Sequence, residues 1–270
     1  VQNDHRNTFH QFDQALLDTF NERYKGRIKV EARMIPDAEW FTALRVGVTG
    51  GSPPVVFSNE GGSQLKELID ADAVKPLDDW WKEHEGDFVK GSHADNYFHG
   101  ELYSINHNMP GVRDLLAWNV DILDEHGIKP PKTWDEWIAS MEGLKAKGVV
   151  PFAIGNMRGW PGGHLWQTIH IRVGGAERQL KAMDRKGVHW TEPDFVKAAE
   201  LYTELGEREL LSPGYAVDDF SPGSACIQGG NAAFFHAFDW NLYDWGAPTA
   251  EFNYEWDRFP QIPPIIKSEP

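Results

Sequence analysis

Hydrophobic positions in the first part of the chain switch between helical and extended spacing. Aromatic and aliphatic residues recur every three or four positions over 7–25, which predicts an amphipathic helix that ends at Gly26. Every second residue over 28–34 is apolar, which predicts a strand. The apolar run 55–57 after two prolines is typical of a buried parallel strand. Because helical patterns lie between and after these runs, we expect an α/β lobe with a mainly parallel sheet.

The second part repeats the alternation with clearer start signals. Thr133 and Glu136 have the spacing of a capping box, in which each side chain bonds a free backbone N–H of the other residue. The helix that follows has a predicted buried face of Trp134, Trp137, Ile138, Met141 and Leu144. The next predicted elements are a strand over 149–154, a helix from His164 to about Val173, a helix over 193–209 capped by Thr191, a strand over 232–235 and an extended tail over 259–264.

Residues 100–119 join these two parts. They form two short extended runs around Pro110 and Gly111, without a helical period, and such a break suggests a crossing between two compact halves. We therefore predict a first α/β lobe over 1–107, a second over 108–258 and a return crossing toward the first lobe over 259–270.

Composition excludes several classes of function. With 41% hydrophobic residues the chain is globular, and its net charge of −15 argues against nucleic acid, which needs clustered Lys and Arg. No apolar run approaches the ~20 residues of a membrane helix. The single Cys226 excludes an internal disulfide and argues against structural zinc. The start at Val1, with no visible signal peptide, fits a mature secreted protein or a trimmed fragment.

Twelve Trp residues form either core or a surface for amphipathic rings such as sugars. We predict that Trp160 lies in a glycine-rich loop between a strand and a helix, where it is a better ligand platform than a core residue. Asn59 and Glu60 follow the predicted strand 55–57, and ligands of α/β sheets bind beyond the carboxyl ends of strands. Trp40 is a candidate to face the same crevice, and a solvated turn is an equal interpretation for Glu60.

The residues give no motif of a common enzyme class. The chain lacks a nucleophile elbow, a phosphate-binding loop, an H-E-x-x-H helix and a C-x-x-C pair, and its eleven His lack ligand spacing, so we expect neither metal nor cofactor. A glycosidase needs two carboxylates roughly 5 to 9 Å apart. Glu60, Asp239 and Glu255 are available, but the same residue types also hold sugar hydroxyls in binding sites.

Four segments in order, 50–57, 68–78, 100–119 and 126–136, carry a resemblance that covers nearly the whole chain. On these segments the chain resembles the extracellular solute-binding proteins of bacterial ABC importers, which capture sugars and oligosaccharides. It departs from the family where Val55 replaces an Asp after the Pro pair, and where Ala237 and Phe238 replace Gly-Ser before a Trp.

The resemblance implies an α/β, two-lobed periplasmic-binding-protein-like fold (type II) that closes on a ligand by hinge motion and is apparently truncated at the C-terminus. It implies a monomer that works with a membrane ABC permease. It also implies a periplasmic or extracellular location, with a lipid anchor on a Cys outside this chain. The family's opening strand and closing helices are expected to be missing.

By position in the family motifs, Asn59 and Glu60 match a cleft-facing loop of the first lobe, and Asn108 lies on the hinge. Trp160 matches a second-lobe loop, and Trp240 a turn after a short strand. With Trp40 and Glu255 these form the predicted ligand-binding set. The predicted function is capture of a carbohydrate for import. Two alternatives stay open: a carbohydrate-active hydrolase that uses Glu60 and Glu255, and the same fold binding a polyamine or another small solute.

Overall fold

A computed structural model describes residues 2–3, 7–35, 37–59, 61–89, 96–106, 115–183, 185–238, 240–241, 245 and 252–265. The chain forms two compact units, unit 1 over Val1–Pro110 and unit 2 over Gly111–Pro270. The predicted domain limits, with a division after residue 107 and a separate crossing over 259–270, stay predictions.

Unit 1 is built from helices and two small strand pairs. Its helices are α1 Asn7–Arg23, α2 Asp37–Thr49, α3 Gly62–Asp70 and α4 Asp78–His84. Strand β1 Gln2–Asn3 pairs in parallel with β2 Met34–Ile35, and β3 Tyr97–Phe98 pairs antiparallel with β4 Glu101–Leu102. Ile35, Trp40, Leu44 and Leu68 form its buried core cluster.

Of the two strands predicted in unit 1, the first is confirmed only at Met34, where β2 begins, and the second is wrong. Residues 28–33 contain no strand, and all of 28–34 are exposed, whereas the alternating pattern required one buried face. Residues 55–57 are also not a strand: Val55 is 100% exposed and Val56 is 79% exposed. Within its described residues, unit 1 therefore has no sheet larger than two strands.

Unit 2 is a layered α/β structure. Its helices are α5 Val120–Glu125, α6 Trp134–Lys145, α7 Trp160–Gly174, α8 Ala176–Met183, α9 Pro193–Glu207 and α10 Phe220–Gln228. Its strands are β5 Leu115–Asn119, β6 Val150–Ala153, β7 Ala232–Ala237 and β8 Tyr254–Arg258. They form one sheet in the order β6-β7-β5-β8, in which β6 and β7 are parallel and β5 is antiparallel to both neighbours.

Both faces of this sheet are covered. Leu116, Trp118 and Phe234 point into a large core with α6, α7 and α9, while Ala117 and Phe235 point into a second core beside α10. Every residue of β5 and β7 is buried, which fits their mainly apolar sequences without alternation; Asn119 and His236 are the polar residues in them.

The helix start at Thr133 is confirmed. Thr133 Oγ1 accepts a hydrogen bond from Glu136 N at 3.3 Å, and Glu136 Oε2 accepts from Thr133 N at 3.1 Å. Hydrogen bonds from the backbone N–H groups of Lys132 and Thr133 lower the pKa of Glu136. The predicted buried face of α6 is also confirmed.

Other helix limits differ from the predictions. Glu192, not Thr191, occupies the N-cap position of α9, and that helix ends at Glu207. Residues 212–223 are rich in Pro, Gly and Asp, which predicts a loop. Helix α10 nevertheless starts within them, since Asp219 caps it and Pro222 falls in its first turn, where proline is tolerated. Among the helices of the described residues, none is long and apolar enough to cross a membrane.

Candidate ligand-binding site

The carboxyl ends of β6 and β7 meet at one edge of the unit 2 sheet, because the two strands are parallel neighbours. The segments that leave this edge lead to Trp160, at the start of α7, and to Trp240. Trp160 does not lie in a loop as predicted. Helix α7 begins at Trp160, four residues before the predicted start, because Gly159 takes a left-handed conformation (φ 75°) and Pro161 suits a first turn.

Three half-buried rings, Trp160, Phe220 and Trp240, form a continuous cluster that we call the aromatic platform. The ring centroids of Trp160 and Phe220 are 4.8 Å apart, those of Phe220 and Trp240 4.9 Å, and those of Trp160 and Trp240 6.4 Å. The buried ring of Phe238 lies parallel to Trp240 at 5.1 Å. The structure thus brings together the two Trp residues that were predicted separately, and the ring of Phe238 stacks on one of them, Trp240.

An ion pair lies beside the aromatic platform. Arg158 Nε donates to Asp219 Oδ1 at 3.0 Å, and the same oxygen accepts from Phe220 N at 2.7 Å as the cap of α10. Each side chain of this Arg158–Asp219 pair is about one third exposed. The pair therefore links the chain before α7 to the start of α10.

The chain segments that carry these side chains are tightly joined. Asn156 N donates to Tyr215 O at 2.7 Å, and Met157 N donates to Asp218 O at 2.9 Å. A Cβ on Gly155 would overlap the carbonyl of Asp219, so only glycine fits there without a shift. The position of Asp219 relative to Arg158 is consequently fixed by backbone contacts.

Two backbone donors in the first turn of α7 already have partners within the chain. Asn156 Oδ1 accepts from Gly162 N at 2.8 Å, and Gly163 N donates to Gly159 O at 2.9 Å. These two donors are therefore not available to a ligand. Among the described residues there is also no cluster of His, Cys, Asp and Glu that could hold a metal ion.

Glu255 lies elsewhere in unit 2. It is exposed on β8 and pairs with Trp118 of β5. Leu115 of β5 pairs with the last residue of β7 on one side and with the last residue of β8 on the other. Glu255 therefore lies three residues, or about 10 Å along the strand, from the level of the carboxyl end of β7. It lines an open groove of about 470 Å³ together with Lys132 and Trp256. The structure does not bring Glu255 to the aromatic platform, and a ligand contact for it stays a prediction.

The candidates in unit 1 have mixed placements. Asn59 Oδ1 accepts from Gly61 N at 2.7 Å, and its Nδ2 donates to Ser104 Oγ at 3.2 Å, so the side chain holds two segments together. Trp40 is 3% exposed and packs with Phe41 in the core, which gives no support for a ligand contact. Glu60, like Asn108 on the predicted hinge and Asp239 of the possible carboxylate pair, lies outside the described residues.

Sequence reasoning missed Arg158, Asp219 and Phe220. One signal was present for the last two, because Asp219 precedes an aromatic residue and a Pro two positions later, which is a helix start pattern. Arg158 had no such signal, since its partner is 61 residues away.

Comparison with known proteins gives a family match over most of the chain. The profile of a family described as bacterial extracellular solute-binding protein matches residues 4–267. An uncharacterized ABC transporter extracellular-binding protein of Pyrococcus horikoshii is 26% identical over 232 residues, which cover 84% of this chain and 52% of that protein. The diacetylchitobiose binding protein of Streptomyces coelicolor is 24% identical over 77% of this chain and 46% of its own length.

This chain therefore spans about half the length of these two relatives. Among solved structures, a chitin oligosaccharide binding protein superposes with a TM-score of 0.80 at 23% identity, over 97% of this chain and 67% of that one. At this identity the likeness establishes the fold alone.

Proposed function

The chain belongs to the bacterial extracellular solute-binding protein family, and we propose that it captures a carbohydrate outside the cytoplasm for delivery to an ABC importer. The family resemblance and the α/β solute-binding fold class predicted from the sequence are confirmed. The proposal includes a periplasmic or extracellular location, a membrane permease as partner, a monomeric state and a lipid anchor outside this chain.

The aromatic platform is the observation that carries the proposal. Sugar rings have apolar C–H faces and polar edges, and a flat aromatic surface beside hydrogen-bonding groups matches both. Phe238 holds Trp240 from behind, so the platform loses little freedom when a ring stacks on it. Names of relatives agree with this class of ligand, since one binds diacetylchitobiose and one chitin oligosaccharide.

In this mechanism the protein binds its ligand and makes or breaks no bond. The sugar face packs on Trp160, Phe220 and Trp240. Asn59, Glu60 and Asn108 are proposed as further ligand contacts. The amide of Asn59 already bonds Gly61 and Ser104, so its main role is to hold these two segments together. The hydrolase alternative gains no support from Glu255, which lies away from the aromatic platform.

A thermal-shift and calorimetry screen tests the proposal with xylotriose, cellotriose, diacetylchitobiose, single sugars and spermidine. We expect a neutral oligosaccharide to raise the melting temperature, since a ligand that binds only the folded state stabilises it, and we expect no cleavage products by chromatography. Trp240→Ala should weaken binding about tenfold or more, because it removes part of the stacking surface.

Trp256→Ala is the matched control, because this Trp is half exposed in the same unit but lies in the Glu255 groove. The affinity of the Trp256→Ala variant for the oligosaccharide should equal that of the wild type. Turnover of an oligosaccharide would establish the hydrolase instead, and stabilisation by spermidine alone would favour a cationic solute.

A further inference from the structure

Two bridges lie side by side between the start of α7 and the start of α10. One is the Arg158–Asp219 pair, and the other is the contact between the rings of Trp160 and Phe220. Asp219 immediately precedes Phe220, and Arg158 lies two residues before Trp160. The carboxylate of Asp219 therefore lies next to the aromatic platform.

The two oxygens of Asp219 differ in their bonding. Oδ1 accepts both hydrogen bonds, from Arg158 Nε and from Phe220 N. No donor among the described residues bonds Oδ2, although the side chain is 31% exposed. Because a carboxylate offers about four lone-pair sites, Asp219 keeps acceptor capacity in a fixed orientation.

We propose that Asp219 Oδ2 accepts a hydrogen bond from a hydroxyl of the sugar ring seated on the aromatic platform, with Arg158 as the positioning residue that holds the carboxylate. This inference rests on the proposed carbohydrate-binding function and narrows its ligand to neutral sugars. A uronic acid would place a second carboxylate beside Asp219 Oδ2. Arg158 is already paired with Oδ1 of Asp219, so the two carboxylates would repel each other at this short distance. The donors of Gly162 and Gly163 at the start of α7 already have partners, so they would not compensate.

Two substitutions of Asp219 separate ligand binding from helix capping. Asp219→Asn keeps an oxygen that can cap α10 and replaces the second oxygen by an amide donor, while Asp219→Ser keeps a capping hydroxyl and removes the distal oxygen. Calorimetry with xylotriose and cellotriose should show about tenfold weaker binding for both variants, since a hydrogen bond to a charged group is lost. Melting temperatures without sugar should stay close to that of the wild type.

Glu209→Gln is the matched control, because it breaks an exposed ion pair with Lys145 in the same unit, and it should leave affinity unchanged. Arg158→Gln should weaken binding in the wild-type background but add no further loss to Asp219→Asn, which is the result expected if Arg158 acts through Asp219. A purely structural role would give equal losses in both backgrounds and would overturn the assignment of Arg158.

Failure of the inference differs from failure of the proposed function. If the wild type binds xylotriose or cellotriose and both Asp219 variants bind it equally well, the inference is wrong and the proposed function stands. If trigalacturonate binds more tightly than the neutral trisaccharides, the selection for neutral sugars is wrong. If no sugar binds the wild type, both proposals are overturned together.

Discussion

The two units use similar apolar patterns with opposite results. In unit 2 the short apolar runs 150–153 and 232–235 lie in neighbouring strands, β6 and β7, of a sheet that is covered on both faces. In unit 1 the equally apolar run 55–57 is not a strand, and its two Val side chains are largely exposed. The alternating run 28–34 likewise has no buried face.

The difference shows what an apolar pattern lacks by itself. A strand is stabilised by a paired neighbour and by residues that cover its faces, and both come from distant parts of the chain. β5 has β7 on one side and β8 on the other, whereas the described residues of unit 1 give each strand one short partner. The same sequence signal therefore predicts a strand correctly in unit 2 and wrongly in unit 1.

The largest expected effect is on the core of unit 2. Trp137 is fully buried and its ring contacts Phe152 and Phe259 edge-on, at 5.3 Å and 5.0 Å. Trp137→Ala should lower the free energy of unfolding of unit 2 by about 3 to 5 kcal/mol, because it leaves a large cavity. Hydrogen exchange followed by mass spectrometry should show lost protection in β5–β7, with α1–α3 unchanged. An equal loss in both units would contradict the comparison.

A smaller, pH-dependent effect is expected from a buried ion cluster in unit 2. Asp194 has no exposed side-chain surface, and it accepts from Arg178 Nε at 2.8 Å and lies 3.0 Å from His170 Nε2. Burial raises the pKa of Asp194, but the hydrogen bonds from Arg178 and His170 outweigh it and lower the pKa to about 2. The ion pair Arg45–Glu67 in unit 1 is about half exposed instead.

The pKa of Asp194 in the folded state lies below its unfolded value of 3.8. Ionised Asp194 therefore adds to the free energy of unfolding above pH 3.8, and this addition is lost as the pH falls toward about 2. The contribution is about 2 kcal/mol. Urea unfolding of the wild type and of Asp194→Asn should therefore show a stability difference that shrinks by about this amount between about pH 5 and about pH 2. A difference that stays constant with pH would show that Asp194 is not linked to folding in this way.

The smallest effect is expected at the exposed run of unit 1. The double substitution of Val55→Ser and Val56→Ser should change the free energy of unfolding by no more than about 0.5 kcal/mol, because neither side chain is buried. Urea unfolding monitored by fluorescence is sufficient for this measurement. Leu44→Ser is the control, because Leu44 is an aliphatic residue of similar size that is buried in the same unit. Its substitution should lower the free energy of unfolding several times more than the Val pair does. A large loss of stability from the two Val substitutions would support the strand predicted over 55–57 instead.

For the candidate site, the glycine-rich segment before α7 predicted Trp160 as a ligand platform, and the family resemblance predicted Trp240. These predictions did not show that the two rings lie close together. Phe220 lies between them, and it belongs to α10, which starts in a segment predicted to be a loop. Glu255 has the right chemistry but lies on β8, and strand register places it away from the aromatic platform. The place of Glu255 in the sequence did not show that it lies away from the aromatic platform.

The sequence by itself determined the features that depend on a few adjacent residues. The capping box at Thr133 and the buried face of α6 are read correctly, because such signals act within one or two helical turns. The tertiary structure alone decided which apolar runs became strands, that Trp160 starts a helix, and that Asp219 meets Arg158 beside stacked rings. These outcomes depend on pairing and burial between residues far apart in the chain, and a local pattern does not encode which partner will be there.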